Sequence, residues 1–256
     1  MMQKARNIVI IGATSAIAGE VALHYASAGS RFFLAGRNEE GLAGLSTRLR
    51  TRGAQDIAVF VADLRQRDLH QEIVTKATEF LSSIDIVLIA HGVYPEQETA
   101  SADVNLTLDS LITNAVSPIS FMHRFALVLQ HQRARNTTSG FVPRLVVISS
   151  VAGDRGRKSN YAYGSAKSAV TAFASGLGAA LYRNGIRVIT VKPGPVATPF
   201  TKHIQMPLLA SVRTVADDIV HGIAKGKSVI YTPWYWRWIM MVVRSLPQWI
   251  FRRLPW

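Results

Sequence analysis

Seven short apolar runs, spread along 256 residues, constrain the fold of this chain more than any other feature. They are Asn7–Ile11, Arg31–Ala35, Ile57–Val61, Asp85–Ala90, Arg144–Ser149, Ile186–Val191 and Ser228–Thr232. Each has the length of a strand. Several are apolar almost throughout, without in-and-out alternation, so strands built from them must be covered on both faces. Between them lie helical stretches, among them Ile17–Ala28, Gln66–Leu81, Leu108–Gln130 and Tyr163–Arg183. The last runs into Asn184-Gly185, a good helix stop. This alternation predicts an α/β fold, a doubly wound parallel sheet of seven strands with helices on both faces. Ligands of such a sheet bind at the carboxyl ends of its strands. No internal repeat interrupts the pattern. His131–Pro143, with Arg133, Arg135, Asn136, Thr137, Thr138, Ser139 and Gly140, reads as a solvated basic loop.

Composition narrows the partners. Hydrophobic residues make up 48% of the chain, enough for one full core, which excludes a disordered polymer. Cysteine is absent, so disulfides, thiolate nucleophiles and thiolate metal sites are excluded. The segment from Met1 to Arg6 is basic and too short for a secretory signal. No apolar run reaches the roughly 18 residues of a membrane-spanning helix. Lys and Arg number 29 against 16 Asp and Glu, a net charge of +13, which calls for an anionic partner.

The chemistry is carried by Ser150, Tyr163 and Lys167. Tyr163 and Lys167 are four apart, so a helix puts them on one face. A tyrosine can protonate a developing alkoxide, but its free pKa of about 10 is too high for neutral pH without a cation beside it. Lys167 can be that cation. Ser150 follows the apolar run Leu145-Val146-Val147-Ile148 and would hold a carbonyl oxygen at the end of its strand. Together they suit ketone reduction by hydride. A Tyr-x-x-x-Lys pair can also arise on any helix surface; the serine thirteen residues earlier makes the functional reading the sharper one.

A cofactor site is expected at the first strand–helix junction, Gly12-Ala13-Thr14-Ser15-Ala16-Ile17-Ala18-Gly19. Small residues there let backbone N–H groups and the helix N-terminus approach a pyrophosphate, a Rossmann-like arrangement. The alternative is a plain turn. At the end of the second strand, where an NAD site usually places an acid, stands Arg37. Its guanidinium suits a 2′-phosphate, so NADP(H) is the expected cofactor. The alternative is a surface arginine at a helix start. Asp63, followed by Leu64, ends the third strand; it faces the adenine or caps the following helix.

With these residues together, the chain resembles the short-chain dehydrogenase/reductase family from about Asn7 to Thr232. The resemblance implies a catalytic tetrad of Asn114, Ser150, Tyr163 and Lys167, with no metal. It implies cofactor contacts at Gly12, Thr14, Ser15, Ala16, Ile17, Asp63, Leu64, Ala90 and Gly92. Pro193, Gly194, Val196 and Thr198 match the loop after the sixth strand, where Thr198 would hold the nicotinamide carboxamide. Two departures stand out. Ala16 and Ala18 replace the second and third glycines of the family pattern. The usual Asn-Asn-Ala-Gly reads Ile89-Ala90-His91-Gly92, with His91 either touching the cofactor or accommodated behind it.

Every tryptophan of the chain lies at or beyond Trp234. Thr232-Pro233 looks like a helix cap followed by proline at the first helical position. A very apolar helix follows, broken by Pro247, and then a short helix with Trp249, Ile250, Phe251 and Leu254 before Pro255. Tryptophan beside Arg237, Arg244, Arg252 and Arg253 suits the bilayer interface. The alternative is a helix packed on the domain or on a second subunit. The expected organisation is a cofactor-binding reductase domain, 1–232, and a helical tail, 233–256.

The tail and Ala90-His91-Gly92 also resemble those family members that reduce a 2-keto pentose carried on a polyprenyl phosphate. That likeness implies a lipid-linked keto-sugar substrate, an anionic membrane surface, a partner oxidase supplying the ketone, and a homo-oligomer. The expected location is cytoplasmic, on the inner face of the cytoplasmic membrane, in cell-envelope synthesis. The first rival is a reductase of another lipid ketone or of a 3-oxoacyl thioester. A rival of another class is a non-catalytic NADP-sensing binding protein. Nucleic acid is not an expected partner, because the aromatics are mixed with aliphatics rather than spaced along a basic groove. Removing the tail is expected to leave reduction of a short soluble ketone intact.

Overall fold

Strands β1 (Asn7–Ile11), β2 (Arg31–Gly36), β3 (Asp56–Val61), β4 (Ile86–Ile89), β5 (Arg144–Ile148), β6 (Arg187–Pro193) and β7 (Val229–Thr232) form one sheet. Their order is β3-β2-β1-β4-β5-β6-β7 and every pairing is parallel. The computed structural model describes residues 4–135, 140–198 and 208–254. All seven expected strands are present, and the doubly wound reading holds. The strand order reverses between β1 and β4, which opens a crevice at their carboxyl ends.

The helices are α1 (Ala16–Ala26), α2 (Glu39–Thr51), α3 (His70–Leu81), α4 (Gln97–Ala102), α5 (Val104–Leu111), α6 (Ser117–Ala134), α7 (Tyr161–Leu181), α8 (Val212–Lys225), α9 (Trp236–Ser245) and α10 (Gln248–Phe251). Period-two alternation divides β1 between two cores. Ile8 and Ile10 pack with Val21 of α1 and Ile219 of α8. Val9 and Ile11 point the other way, to Ile73 of α3, Phe121 of α6 and Val170 of α7. The edge strand β3 is covered less fully, and Val59 and Val61 stay exposed.

Four expectations need correction. The stretch Leu108–Gln130 is not one helix. A π-helical turn, Ile112–Val116, separates α5 from α6. Gln66–Leu81 opens as a 3-10 turn, Arg67–Leu69, before α3. His131 to Ala134 belong to α6, not to a loop. Within that loop Asn136, Thr137, Thr138 and Ser139 lie outside the described residues, as do Met1 to Gln3, Pro255 and Trp256. Thr232 caps no helix: its buried hydroxyl donates to Asp218 at 2.7 Å, and α9 begins only at Trp236. The stop after α7 is as expected, with Gly185 in the left-handed region at φ +70°.

The tail docks on the domain. Trp236, Met240 and Val243 recur at helical spacing and form a third apolar cluster with Phe251 and Val151. Val151 immediately follows Ser150, so the tail rests on the loop after β5. Asp154 anchors that loop from the other side. Its carboxylate is ion-paired with Lys192 of β6 and accepts a hydrogen bond from the Tyr231 hydroxyl of β7 at 2.7 Å. The Lys192 and Asp154 side chains are only 7% and 2% exposed. Burial, together with the Asp154 carboxylate that its hydroxyl already serves, pushes the Tyr231 hydroxyl up to about 12. Asp154→Ala would leave a buried ammonium without its counter-charge, which costs about 3–5 kcal/mol. Denaturant unfolding should register that loss, and a change within about 1 kcal/mol would mean the pair is not an anchor.

Candidate active site

The site sits where β1 and β4 carry the chain to the crevice. Gly12 follows β1 with φ +84°, and a side chain there would meet the His91 backbone nitrogen at 2.5 Å. Only glycine satisfies both conditions. Gly92 is equally confined, because its Cβ position lies 2.6 Å from Asn114 Oδ1. Ser15 caps α1 by accepting from the Ala18 N–H. The first turn of α1 therefore presents the N–H groups of Ala16 and Ile17 with no acidic side chain beside them. Thr14 and Ala16 are exposed at this rim, while Ile17 and Ala18 are buried. The methyl of Ala18 is fully accommodated in the core, so this departure from glycine leaves the junction well packed.

Arg37 is exposed directly after β2, before Asn38, whose side chain caps α2. Asp63 lies close enough for Arg37 to lower its pKa, although Arg65 is the larger cause. Asp63 accepts from the Arg65 backbone N–H at 3.0 Å and from its guanidinium at 2.9 Å. It thus turns the chain locally and does not cap the following 3-10 turn, whose N-cap is Gln66. Arg65 adds a second guanidinium at this end of the sheet that the sequence reading did not single out.

The Leu64 side chain is buried, and its carbonyl accepts from the Ser117 hydroxyl and from His70 Nε2. Ser117 Oγ also lies 2.8 Å from His91 Nε2. Since Ser117 gives its proton to Leu64, His91 must donate from Nε2. Burial, reinforced by Lys167, holds the His91 pKa down to about 3. His91 is thus a neutral brace between β4 and α6.

The four tetrad residues converge. Asn114 lies in the π turn and is fully buried. Its Oδ1 accepts from the Val93 N–H at 2.9 Å, and its Nδ2 donates to the Val93 carbonyl at 2.9 Å and to Ser110 Oγ at 3.0 Å. An extra residue in a helical turn interrupts the regular bonding, which is why π turns recur at functional sites. Ser150 lies two residues past β5 and caps the following 3-10 turn, its Oγ accepting from the Ala152 N–H at 3.1 Å. Its side chain also acts on Tyr163, lowering the phenol pKa. Lys167 donates from Nζ to the Ile148 carbonyl at 3.0 Å and lies 5.6 Å from the centre of the Tyr163 ring.

Burial dominates the electrostatics here. It pushes the Tyr163 phenol up, against the opposing bond from Ser150, and lowers Lys167 to about 8. Ser150 thus opposes the effect of burial on the tyrosine, while the Lys167 head is held on the Ile148 carbonyl.

Three wall residues lay outside the sequence reading. The Tyr94 ring lies 5.0 Å from that of Tyr163. Arg157 Nη2 lies 3.4 Å from Met240 Sδ of α9. Trp236 packs so tightly on Gly194 that a Cβ there would lie 1.9 Å from its indole nitrogen. No local signal in the sequence marks these pairs, since each joins distant segments. Pro193 ends β6, the Gly194 N–H donates to the Thr232 carbonyl at 3.0 Å, and Val196 pairs with Ala210. Thr198 follows, its N–H donating to the Val196 carbonyl at 2.8 Å. Ala90 completes the crevice, its N–H donating to the Ile11 carbonyl at 2.8 Å. The tail thus covers both the serine turn and the Pro193-Gly194 loop. Cutting it off would expose both.

Comparisons with known proteins agree with this geometry. The family model described as short chain dehydrogenase matches residues 6–208. An uncharacterised oxidoreductase of Mycobacterium tuberculosis is 35% identical over 251 residues, covering 97% of this chain and 96% of that protein. A variant of the actinorhodin polyketide ketoreductase, solved with NADPH, superposes with a TM-score of 0.75 at 24% identity, over 89% of this chain and 97% of that one. A short chain dehydrogenase from Burkholderia cenocepacia, solved with NADP, superposes with a TM-score of 0.81 at 17% identity over 100% of both chains. The strand order, the converging tetrad and the matched sequence lead to one conclusion: this chain belongs to the short-chain dehydrogenase family.

Proposed function

We propose that this protein is an NADPH-dependent ketoreductase that works on a lipid-linked ketone at a membrane surface. The observation that carries the catalytic part is the buried meeting of Lys167 and Asn114 at Gly92, with Lys167 Nζ 5.6 Å from the centre of the Tyr163 ring and Ser150 acting on the same phenol. The residues around the crevice suit a dinucleotide: a glycine turn at Gly12, an acid-free helix N-terminus at Ala16 and Ile17, and Arg37 for a 2′-phosphate. Gly92, Pro193, Gly194, Val196 and Thr198 would flank the nicotinamide, and Leu64 and Ala90 would shape the floor. The ketoreductase and the dehydrogenase that share the fold were solved with NADPH and NADP. NADPH supplies hydride when bound.

The chain's own residues do the rest. Ser150 donates to the carbonyl oxygen, its acceptor side being occupied by the Ala152 N–H. Tyr163 gives its proton to the alkoxide as charge develops there. Lys167 favours the resulting phenolate and would hold the nicotinamide ribose. Asn114 fixes the Val93 backbone and keeps the kinked helix open for a water that returns the proton.

The substrate part rests on the tail. Its inner face packs on the domain, while Trp234, Trp238, Met241, Val242 and Trp249 are exposed. Arg237 stacks on Trp238 at 5.8 Å, and Arg253 lies 6.0 Å from Trp249. Aromatic rings and guanidiniums on one outer surface support docking among phosphate headgroups. No helix among the described residues is long and apolar enough to cross a membrane. The tail and Ala90-His91-Gly92 resemble the decaprenylphosphoryl-2-keto-erythro-pentose reductase, whose substrate stays in the bilayer. This reading includes a homo-oligomer and a partner oxidase that supplies the ketone. NADPH oxidation with a panel of lipid-linked keto sugars and 3-oxoacyl thioesters tests it, and preference for a thioester would redirect the substrate assignment.

Three outcomes are expected. Tyr163→Phe keeps the ring and removes the proton donor, so turnover should fall at least ~100-fold with NADPH affinity little changed. Near-normal turnover would refute the role given to Tyr163. NADPH should bind more tightly than NADH, and Arg37→Ala should lower that preference by roughly tenfold or more. Titration by nucleotide fluorescence decides this, and equal affinities in the unaltered protein would end the NADPH assignment. Finally, the protein should bind anionic liposomes, more weakly but still measurably as salt rises. Replacing Trp234, Trp238 and Trp249 together by Ser should abolish the salt-resistant part. A protein that ignores liposomes would remove the support for a membrane substrate.

A further inference from the structure

The loop that carries Ser150 is hydrogen-bonded to the ends of the C-terminal helices by the side chain of Arg155. Arg155 reaches out of this loop and donates to the ends of α9. Its Nη1 lies 2.6 Å from the Val243 carbonyl, 3.5 Å from that of Arg244 and 2.6 Å from that of Leu246. Its Nη2 donates to Gln248 Oε1 at 3.1 Å, and its guanidinium lies 3.9 Å from the centre of the Phe251 ring. The last carbonyls of a helix have no partner within it and carry partial negative charge, so a guanidinium is well suited to close them. Arg155 closes α9 and joins it to α10.

The same contacts hold the serine. Between Ser150 and Arg155 the chain forms a 3-10 turn, Val151–Gly153. The Ala152 N–H donates to Ser150 Oγ at 3.1 Å, and the Gly153 N–H to the Ser150 carbonyl at 3.1 Å. Val151 is buried under Trp236, Met240, Val243 and Phe251. Asp154 holds the far side through Lys192 and Tyr231. The Ser168 hydroxyl of α7 donates to the Gly153 carbonyl at 2.7 Å. The turn thus has four attachments, and two of them, Val151 and Arg155, end on the tail.

We propose that Arg155 is a positioning residue for the reaction and that the C-terminal helices are a brace for the catalytic serine. This rests on the ketoreductase reading of Ser150 and adds to it. Arg155 touches no reacting atom. It fixes the turn whose N–H groups orient the Ser150 hydroxyl, and it does so through helices whose outer face is the docking surface proposed above. Loosening this tie should disorder Ser150 without disturbing the cofactor end of the sheet, which is built from β1, β2 and α1.

The test is made on the full chain. Hydrogen exchange needs no substrate and reads the Ala152 and Gly153 amides, which are bonded to Ser150 itself. Arg155→Ala should speed exchange of residues 150–157 and of 236–251 together, by about tenfold or more, while peptides from 7–35 stay unchanged. Arg155→Lys keeps the charge but lacks the fork that reaches the helix-end carbonyls and Gln248 at once, so it should give a smaller change in the same places and serves if the alanine variant misfolds. With the best ketone of the panel, Arg155→Ala should lower kcat at least about tenfold while the NADPH Kd moves less than about twofold. In a Ser150→Ala background the same change should cost less than about twofold, because its target is already gone. Exchange that rises in the tail alone, an unchanged kcat, or an equal loss in both backgrounds would each overturn the proposal. If no ketone of the panel is reduced, the reductase reading fails while the exchange result still decides whether the tail braces the turn.

Discussion

Two stretches of backbone meet at the centre of this sheet with no room for a side chain between them. Gly12 leaves β1 at φ +84°, and its Cβ position falls 2.5 Å from the His91 nitrogen leaving β4. This approach sets the floor of the crevice at the point where the strand order reverses. It also determines where His91 can go. Its ring turns down to Ser117, which in turn bonds the Leu64 carbonyl. One steric constraint thereby links the ends of β1, β3 and β4 to the start of α6. Asn114 sits just before α6, and Gly92 leaves room for its Oδ1.

The reactive groups are placed where water is scarce, and that decides their resting character. Burial raises the Tyr163 phenol and depresses Lys167 to about 8, so each is biased toward its neutral form. The hydrogen bonds then divide the work. Ser150 opposes the shift on the tyrosine, and the Ile148 carbonyl fixes the Lys167 head. A neutral phenol is the correct resting form for a proton donor. Sequence spacing suggested lysine as the cation beside the tyrosine; its Nζ lies 5.6 Å from the ring centre, and serine also acts on the phenol.

The sheet was legible because central strands buried on both faces must be apolar throughout. The candidate site was legible as a cluster because helical spacing fixes Tyr163 against Lys167, and Ser150 closely follows an unmistakable strand. What stayed hidden has physical causes. A π turn adds one residue without changing composition, so Leu108–Gln130 read as a continuous helix. Thr232-Pro233 has the residue types of a helix start, but the threonine hydroxyl is taken by Asp218, which no local rule reveals. Arg155 looks solvated beside Gly153 and Gly156, although its partners are helix-end carbonyls far along the chain. The tail was read as either lipid-facing or packed. Its amphipathic α9 packs one face and leaves the other exposed.

The Arg155 tie has a consequence in time as well as in space. The carbonyls it bonds lie 88 to 91 residues further along the chain. During synthesis, the first strands and the glycine turn emerge early and can pair with one another. The serine turn emerges midway and cannot be fastened then, because its fastenings do not yet exist. It must wait for β6 and β7 to supply Lys192 and Tyr231, and then for the last helices. A nascent chain can therefore pair its first strands and glycine turn well before its serine is set, and the serine turn is fastened only once residues 88 to 91 positions further on have been made.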